Sequence, residues 1–412
     1  MFYESFKRRI QPLINIYHFF LAVIANICYG FPSKKLILIG ITGTDGKTTT
    51  AHLIYNVLRN YSHKASMVSS LGAYISGNEI KTGFHVTTPN SFKLQKLLRT
   101  AVKNKEKYFI LESTSHGLDQ YRLWGIFFEV SVITNITKEH LDYHKTYTNY
   151  LQAKAKLFLN SKKAILNKDD DSFDQLSEYL KKVNKKYLTY SLIKKSDFNF
   201  NTKRKLNIEL SDFSNHNFLA AYSILDSLKI PKETIYKYFS NFQFPEGRFE
   251  EIYDKNFKII VDFAHTPNSL DKILSEIAKE KQNKLIHIFG SAGLRDSEKR
   301  YAMGAKSSKY SDLIILTEED SRIEDTEKIC NEIASGFNNK FKYVKKKQLN
   351  KNSFFCYTKI TNRKEAIKKA ISIAQKGDVL ILTGKGHERS IARGKIEYPW
   401  NEKEIILKIL KK

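Results

Sequence analysis

Leu36-Ile37-Leu38-Ile39 runs through Gly40 into Gly43-Thr44-Asp45-Gly46-Lys47-Thr48-Thr49, and a helical pattern follows from Thr48 to Leu58. A strand, a glycine loop and a helix in that order make a phosphate-binding unit. The glycines let backbone N–H groups close on phosphate oxygens, a lysine neutralises the β/γ charge, and a hydroxyl is offered to Mg²⁺. Gly43, Thr44, Asp45, Gly46, Lys47, Thr48 and Thr49 are therefore the candidate phosphate site. Gly40 lies one residue too early for the ordinary Walker spacing, which disfavours a generic motor or GTPase.

Outward from this loop, apolar runs at Tyr108 to Leu111 and Val130 to Ile133 alternate with helix-like segments. That is the rhythm of a covered, mostly parallel sheet. It restarts after Gly247 with Ile259 to Val261, Ile286 to Phe289, Leu313 to Leu316 and Val379 to Leu382. The expected architecture is α/β: a phosphate-loop domain with a mostly parallel sheet, then a Rossmann-like domain. Turn residues at Phe244-Pro245-Glu246-Gly247 set the boundary. The expected segments are an N-terminal helical stretch 1–35, a central domain 36–245 and a C-terminal domain 246–412. Residues 167–213, with weak periodicity and many Lys, Asp and Asn, are expected to form short strands and loops at an edge.

A chain of 412 residues exceeds one ordinary core, which also points to at least two domains. With 42% hydrophobic and 13% aromatic residues it is neither disordered nor fibrous. The net charge of +26 favours anionic partners, although lysines spread through runs such as Lys345-Lys346-Lys347 read first as compositional bias. Nucleic acid would need basic and aromatic residues interleaved on a recognised module, and none is found. The three cysteines, Cys28, Cys330 and Cys356, are widely spaced and suit a reducing compartment. Lys7, Arg8 and Arg9 precede an apolar run, Leu13 to Phe31, that imitates a leader or membrane segment. Asn15, His18 and Asn26 interrupt it, so a packed or membrane-surface helix is expected.

Three further blocks carry a family resemblance. Glu112 with Ser113-Thr114-Ser115-His116-Gly117-Leu118, then Thr134-Asn135 with Glu139-His140-Leu141-Asp142, and finally Gly384-Lys385-Gly386-His387-Glu388 occur in order after the phosphate loop. Over roughly residues 36 to 405 the chain resembles the Mur ligases, the ATP-dependent amide-forming enzymes of peptidoglycan synthesis. The last block is similar to the signature of the branch that adds the third residue of the stem peptide.

The resemblance implies a cytoplasmic, monomeric ligase that uses ATP and two Mg²⁺ ions. Its substrates would be UDP-N-acetylmuramyl-dipeptide and a diamino acid. Lys47 would be catalytic, with Thr48, Glu112, His140 and a carbamylated Lys154 as the metal set. Physically, Glu112 ends a buried strand beside the phosphate loop, and a carbamate turns a lysine into a carboxylate-like anion. Asn217, Arg248 and Asp262 would complete the ATP site, with His265 nearby, although alone Asn217 or His265 would read as packing. Thr87, Thr88, Thr114, Gln120 and Arg122 would hold the acidic acceptor.

For the incoming amino acid the resemblance implies Arg295, Asp320, Arg322, Gly384 and Glu388, with arginine for a distal carboxylate and Glu388 for an ammonium. That pattern points to meso-diaminopimelate. Where the family has Asp-Asn-Pro-Arg this chain has Glu319-Asp320-Ser321-Arg322, which adds a negative charge beside the ligand. The family also carries a full N-terminal UDP-binding domain, whereas about 35 residues precede the first strand here, so that region is expected to be truncated or rebuilt. A related ligase acting on another carboxylate, of the folylpolyglutamate or cyanophycin kind, and a basic nucleotide-dependent nucleic-acid binder are the alternative readings.

Overall fold

The computed structural model describes the backbone of residues 2–80, 87–199 and 212–411, and side chains from residue 11 except those of residues 212 and 213. The chain divides into two compact units, Met1–Gln243 and Phe244–Lys412. Both are α/β.

In the first unit the strands are β1 (Ile37–Thr42), β2 (Ala65–Ser69), β3 (Gly72–Ile75), β4 (Asn78–Ile80), β5 (Tyr108–Glu112), β6 (Phe128–Ile133), β7 (Ser161–Asn167) and β8 (Leu188–Tyr190). They form one sheet in the order β4-β3-β2-β5-β1-β6-β7-β8. From β2 to β8 the pairing is parallel, and β3 and β4 add an antiparallel edge. Helices cover both faces, so β1 and β5 are buried on both sides and read as continuous apolar runs. Leu38, Phe109, Leu111, Phe128 and Leu157 share one core cluster, and Ile133, Tyr150, Phe158 and Leu166 share another.

The helix after the phosphate loop spans Lys47–Ser62, one turn beyond the apolar pattern, because His63 in the left-handed region closes it by donating its N–H to the Arg59 carbonyl at 2.9 Å. The loop-rich reading of residues 167–213 is only partly right. A helix spans Phe173–Lys182, with Leu176 and Leu180 buried one turn apart. That stripe is too narrow to stand out among so many charged neighbours. Residues 200–211 lie outside the described residues.

The second unit contains β9 (Glu250–Asp254), β10 (Lys258–Asp262), β11 (Leu285–Phe289), β12 (Leu313–Leu316), β13 (Lys342–Tyr343), β14 (Cys356–Lys359) and β15 (Val379–Thr383), in the order β13-β14-β12-β11-β15-β10-β9. Every pairing is parallel except β9 with β10. A hairpin of β16 (Ser390–Arg393) and β17 (Ile396–Pro399) follows. The four apolar runs seen in the sequence are β10, β11, β12 and β15, and they occupy adjacent central positions.

His287 lies in the middle of β11, fully buried, its ring nitrogens 2.8 Å from Ser307 Oγ and 2.9 Å from Thr383 Oγ1. Burial, aided by the Arg363 charge, pushes its pKa down to about 3 from 6.5. The folded state therefore keeps this ring neutral, while the unfolded chain takes up a proton as pH falls below 6.5. Its contribution is complete above that pH and is lost toward 3. Urea unfolding of the wild type should lose about 2 kcal/mol more between pH 6.5 and 5 than unfolding of His287→Gln. Identical pH dependence in the two proteins would exclude a buried neutral His287.

Candidate active site

Parallel strands deliver their carboxyl ends to one edge of a sheet, and the loops there hold ligands. In the first unit β1 ends at the phosphate loop, β5 at Glu112 and β6 at Thr134-Asn135. The loop is fixed from the side. Asn135 accepts from the Thr44 N–H through its carbonyl (2.8 Å) and from the Asp45 N–H through its side chain (2.9 Å), and it donates its own amide to the Asp45 carbonyl (3.0 Å). Gly46 starts the helix at φ 81°, and a Cβ there would fall 2.1 Å from Asn217 Oδ1. Glycine is thus required twice, by the backbone angle and by the Asn217 side chain.

Glu112 has no exposed surface, and its carboxylate accepts from Thr48 Oγ1 (3.1 and 3.2 Å), the Ser70 N–H (2.9 Å) and Ser70 Oγ (2.9 Å). A hydroxyl and a carboxylate converging at the start of a helix offer the oxygen donors that a hard divalent cation takes. Lys47 donates to the Thr44 carbonyl at 2.9 Å, so its ammonium already lies over the loop.

Lys154 comes from the helix Tyr147–Leu159 and is buried, with Nζ 2.6 Å from the Gly43 carbonyl and 4.6 Å from the Tyr150 ring centroid. Burial, and then the nearby Lys47 charge, hold its pKa well below the ordinary lysine value. Tyr150 also shares a hydrogen bond with Thr44 Oγ1 at 3.0 Å. His140 adopts φ 55° and joins an aromatic group, its ring 4.9 Å from His116 and 6.2 Å from Tyr150. Next to it, burial and the His116 ring lower His144 to about 3. Among the described residues no three His, Cys, Asp or Glu side chains cluster as a metal site.

The expected acceptor residues converge. Thr88 Oγ1 accepts from the Thr114 N–H at 2.9 Å, and its carbonyl accepts from Arg122 at 2.9 Å. Arg122 also grips Gln120 Oε1 through Nε (3.0 Å) and Nη2 (2.6 Å). Thr87 reaches Ser70 Oγ at 2.9 Å, which links this set to Glu112. Lys156, on the same helix as Lys154, pairs with Asp119 at 2.8 Å.

In the second unit Arg248 precedes β9, Asp262 ends β10, and the loops after β11, β12 and β15 carry Arg295, Asp320, Arg322, Gly384 and Glu388. Asp262 is held by the N–H groups of Phe249 and Ala264, both at 2.7 Å, and burial raises its pKa. Arg248 lies over the Phe263 ring at 4.5 Å. Asp320 forms a buried ion pair with Lys385 at 2.8 Å and accepts from the Ala392 N–H at 2.9 Å. Lys385 also bonds Glu388; burial works against its charge, but Glu388 and Asp320 outweigh it and raise the pKa. The extra negative charge expected from Asp320 is thus matched by a lysine, which leaves the Asp320-Lys385-Glu388 group a formal −1. Arg322, at φ 52°, donates to the Gly293 carbonyl at 2.7 Å. Arg295 is exposed on its loop, outside this group.

Sequence reasoning passed over Ser70, Lys385 and Glu319. Ser70 follows β2, a parallel neighbour of β5, so a hydroxyl at that end could have been weighed. Lys385 was visible only as part of a glycine-rich motif. Glu319 is buried, its Oε2 unbonded among the described contacts, and burial raises its pKa. It lies against Gly384 (φ 100°), where a Cβ would come within 2.5 Å of that oxygen.

Two family models match the chain: the Mur ligase middle domain over residues 41–230, and the Mur ligase, glutamate ligase domain over 247–386. The chain is 34% identical to UDP-N-acetylmuramoyl-L-alanyl-D-glutamate 2,6-diaminopimelate ligase 1 of Clostridium acetobutylicum, covering 95% of this chain and 81% of that protein. It is 38% identical to UDP-N-acetylmuramyl-tripeptide synthetase of Borreliella burgdorferi, covering 94% and 79%. A solved UDP-N-acetylmuramoyl-L-alanyl-D-glutamate 2,6-diaminopimelate ligase superposes with a TM-score of 0.58 at 27% identity, covering 91% of this chain and 78% of that one. With both units matched and relatives above 30% identity over four fifths of their length, the chain belongs to the Mur ligase family.

Proposed function

We propose that this protein is a cytoplasmic, monomeric, ATP-dependent amide ligase that adds meso-diaminopimelate to UDP-N-acetylmuramoyl-L-alanyl-D-glutamate. The observation that carries this reading is relatedness across both units to proteins named for that reaction. In the chemistry, an acceptor carboxylate oxygen attacks the γ-phosphorus of ATP, ADP leaves, and an acyl phosphate results. The amino acid's amine then attacks the acyl carbon and displaces phosphate.

The side chains support distinct parts of this sequence. Lys47 and the loop N–H groups would balance the phosphate charge, and the Thr88-Thr114-Gln120-Arg122 network would position the acceptor carboxylate. Asn217, Arg248 and Asp262 are assigned to the nucleoside and phosphates. Mg²⁺, which would neutralise the triphosphate, is assigned to Thr48 and Glu112, and a second ion to His140 and Lys154. The environment of Lys154 suits carbamylation: burial lowers its pKa, which favours the unprotonated amine that can attack CO₂ and lose a proton, leaving a carbamate anion. Lys154→Ala should reduce phosphate release by more than ~100-fold with partial recovery in millimolar short-chain carboxylate, and intact-mass analysis under bicarbonate should show one added CO₂ on the wild type only. Normal turnover in the folded variant, or no CO₂ adduct on the wild type, would remove the carbamate.

The amino-acid assignment follows from charge. The −1 group of Asp320, Lys385 and Glu388 suits a distal ammonium, and the guanidinium groups of Arg322 and Arg295 suit a distal carboxylate. L-lysine has no such carboxylate and would forgo the charge-assisted bonds these guanidinium groups can donate. Initial rates of phosphate release at matched concentration should favour meso-diaminopimelate over L-lysine by more than ~100-fold. A preference for L-lysine would overturn the assignment, and no release with any amino acid in the presence of UDP-N-acetylmuramyl-dipeptide would overturn the ligase reading.

A further inference from the structure

The N-terminal helix Phe2–Tyr29 is turned inside out for a soluble protein. Its polar side chains face inward: Gln11 donates to Tyr143 Oη (3.0 Å), Asn15 to Asp119 Oδ2 (3.1 Å), and Asn26 to the Trp124 carbonyl (2.9 Å). Ala22 and Ala25 are fully buried on that side, and Phe19 packs edge-on against Tyr121 and Trp124. Leu13, Ile16, Tyr17, Phe20, Ile24 and Ile27 face outward, each between 48% and 66% exposed. At the helical turn of about 100° per residue, these six fall within one arc of about 100°, centred opposite the docked side. The ridge is about 20 Å long.

Basic residues flank the ridge in sequence and at its far end. No acidic residue occurs in sequence between Glu4 and Asp45, and Lys7, Arg8 and Arg9 lie at the start of the helix. Just past its end, Lys34, Lys35, Lys64, Lys105 and Lys107 are exposed around one shallow hollow, while the carboxylate in that hollow, Glu106, is buried and paired with Arg59 at 3.5 Å. An apolar ridge with cations at both ends matches a bilayer surface, where acyl chains take the ridge and anionic headgroups take the lysines. The segment Gln11–Tyr29 is long and apolar enough to cross a membrane. Spanning would strip Gln11, Asn15 and Asn26 from their partners in the first unit and leave those amides in hydrocarbon. Lying flat keeps every one of those bonds.

We propose that the outward face of this helix docks the protein on anionic lipid, parallel to the membrane surface. The proposal is independent of the ligase assignment. The first unit is thereby oriented with the helix between the lipid and the Asp119-Gln120 side of the acceptor network. Flotation of the full chain with vesicles of phosphatidylglycerol and phosphatidylcholine, and with phosphatidylcholine alone, tests it. The protein should float with the anionic vesicles, with affinity at least about tenfold lower for neutral ones and falling as NaCl rises. Ile16→Ser/Phe20→Ser/Ile24→Ser, whose side chains point to solvent, should bind at least about tenfold more weakly while keeping the wild-type thermal melt and phosphate release. Lys34→Glu/Lys35→Glu should lose the preference for anionic vesicles. Absence of flotation, equal flotation of the serine variant, or a wild-type dimer in sedimentation that the serine variant abolishes would each overturn the proposal. Phosphate release, measured without lipid, reports separately on the ligase reading.

Discussion

The Glu112 carboxylate organises the first unit. Three donors from two segments meet on it at the end of β5: the Thr48 hydroxyl opening the helix after the phosphate loop, and the Ser70 N–H and hydroxyl following β2. A carboxylate buried without such donors would cost several kcal/mol, so the position of each element depends on the others. Ser70 passes the constraint to Thr87, and the Glu112 carbonyl receives the Thr88 hydroxyl at 3.3 Å. The phosphate loop and the Thr87-Thr88 segment are therefore registered through one residue. That precision matters for a reaction whose catalysis rests on positioning.

The second unit solves a different problem, the holding of several charges at the ends of buried strands. Arg363 bonds Glu402 through Nε (3.1 Å) and Nη2 (2.6 Å), and Arg393 grips Glu318 through two nitrogens at 2.7 Å. Lys385 bridges Asp320 and Glu388. Removing one partner of a buried pair strands the other at about 3–5 kcal/mol, whereas the intact pair contributes little net stability. Such groups are better understood as fixing geometry than as adding stability. Asp320 shows the point: as an isolated letter it adds a repulsive charge, and in the fold it fixes the ammonium of Lys385.

The central strands were legible because strands buried on both faces leave uninterrupted apolar runs, as in Leu36 to Ile39 and Leu313 to Leu316. The phosphate loop was legible because its glycines and lysine are local in sequence. Thr87, Thr88, Thr114, Gln120 and Arg122 were named through family resemblance alone, since threonines and an amide at such spacing carry no periodic signal. The helix Phe173–Lys182 escaped because two buried leucines make a faint stripe among lysines. Lys385 and Ser70 escaped for another reason: their roles depend on residues 65 and 42 positions away in sequence, brought close only by parallel pairing.

The N-terminal helix exposes the limit of reading hydropathy along a chain. A run from Leu13 to Phe31 interrupted by Asn15, His18 and Asn26 has the same composition whichever face turns inward. An ordinary surface helix would bury Ile16, Phe20 and Ile24 and leave the amides in water. Here the amides have partners waiting: the Tyr143 hydroxyl, the Asp119 carboxylate and the Trp124 carbonyl, all at one edge of the first unit. Directional hydrogen bonds therefore choose the docked face, because an amide turned toward a matching acceptor gains a specific partner that an isoleucine turned there could not. The apolar ridge is what remains outside after that choice, and its exposure follows from the polar edge it covers.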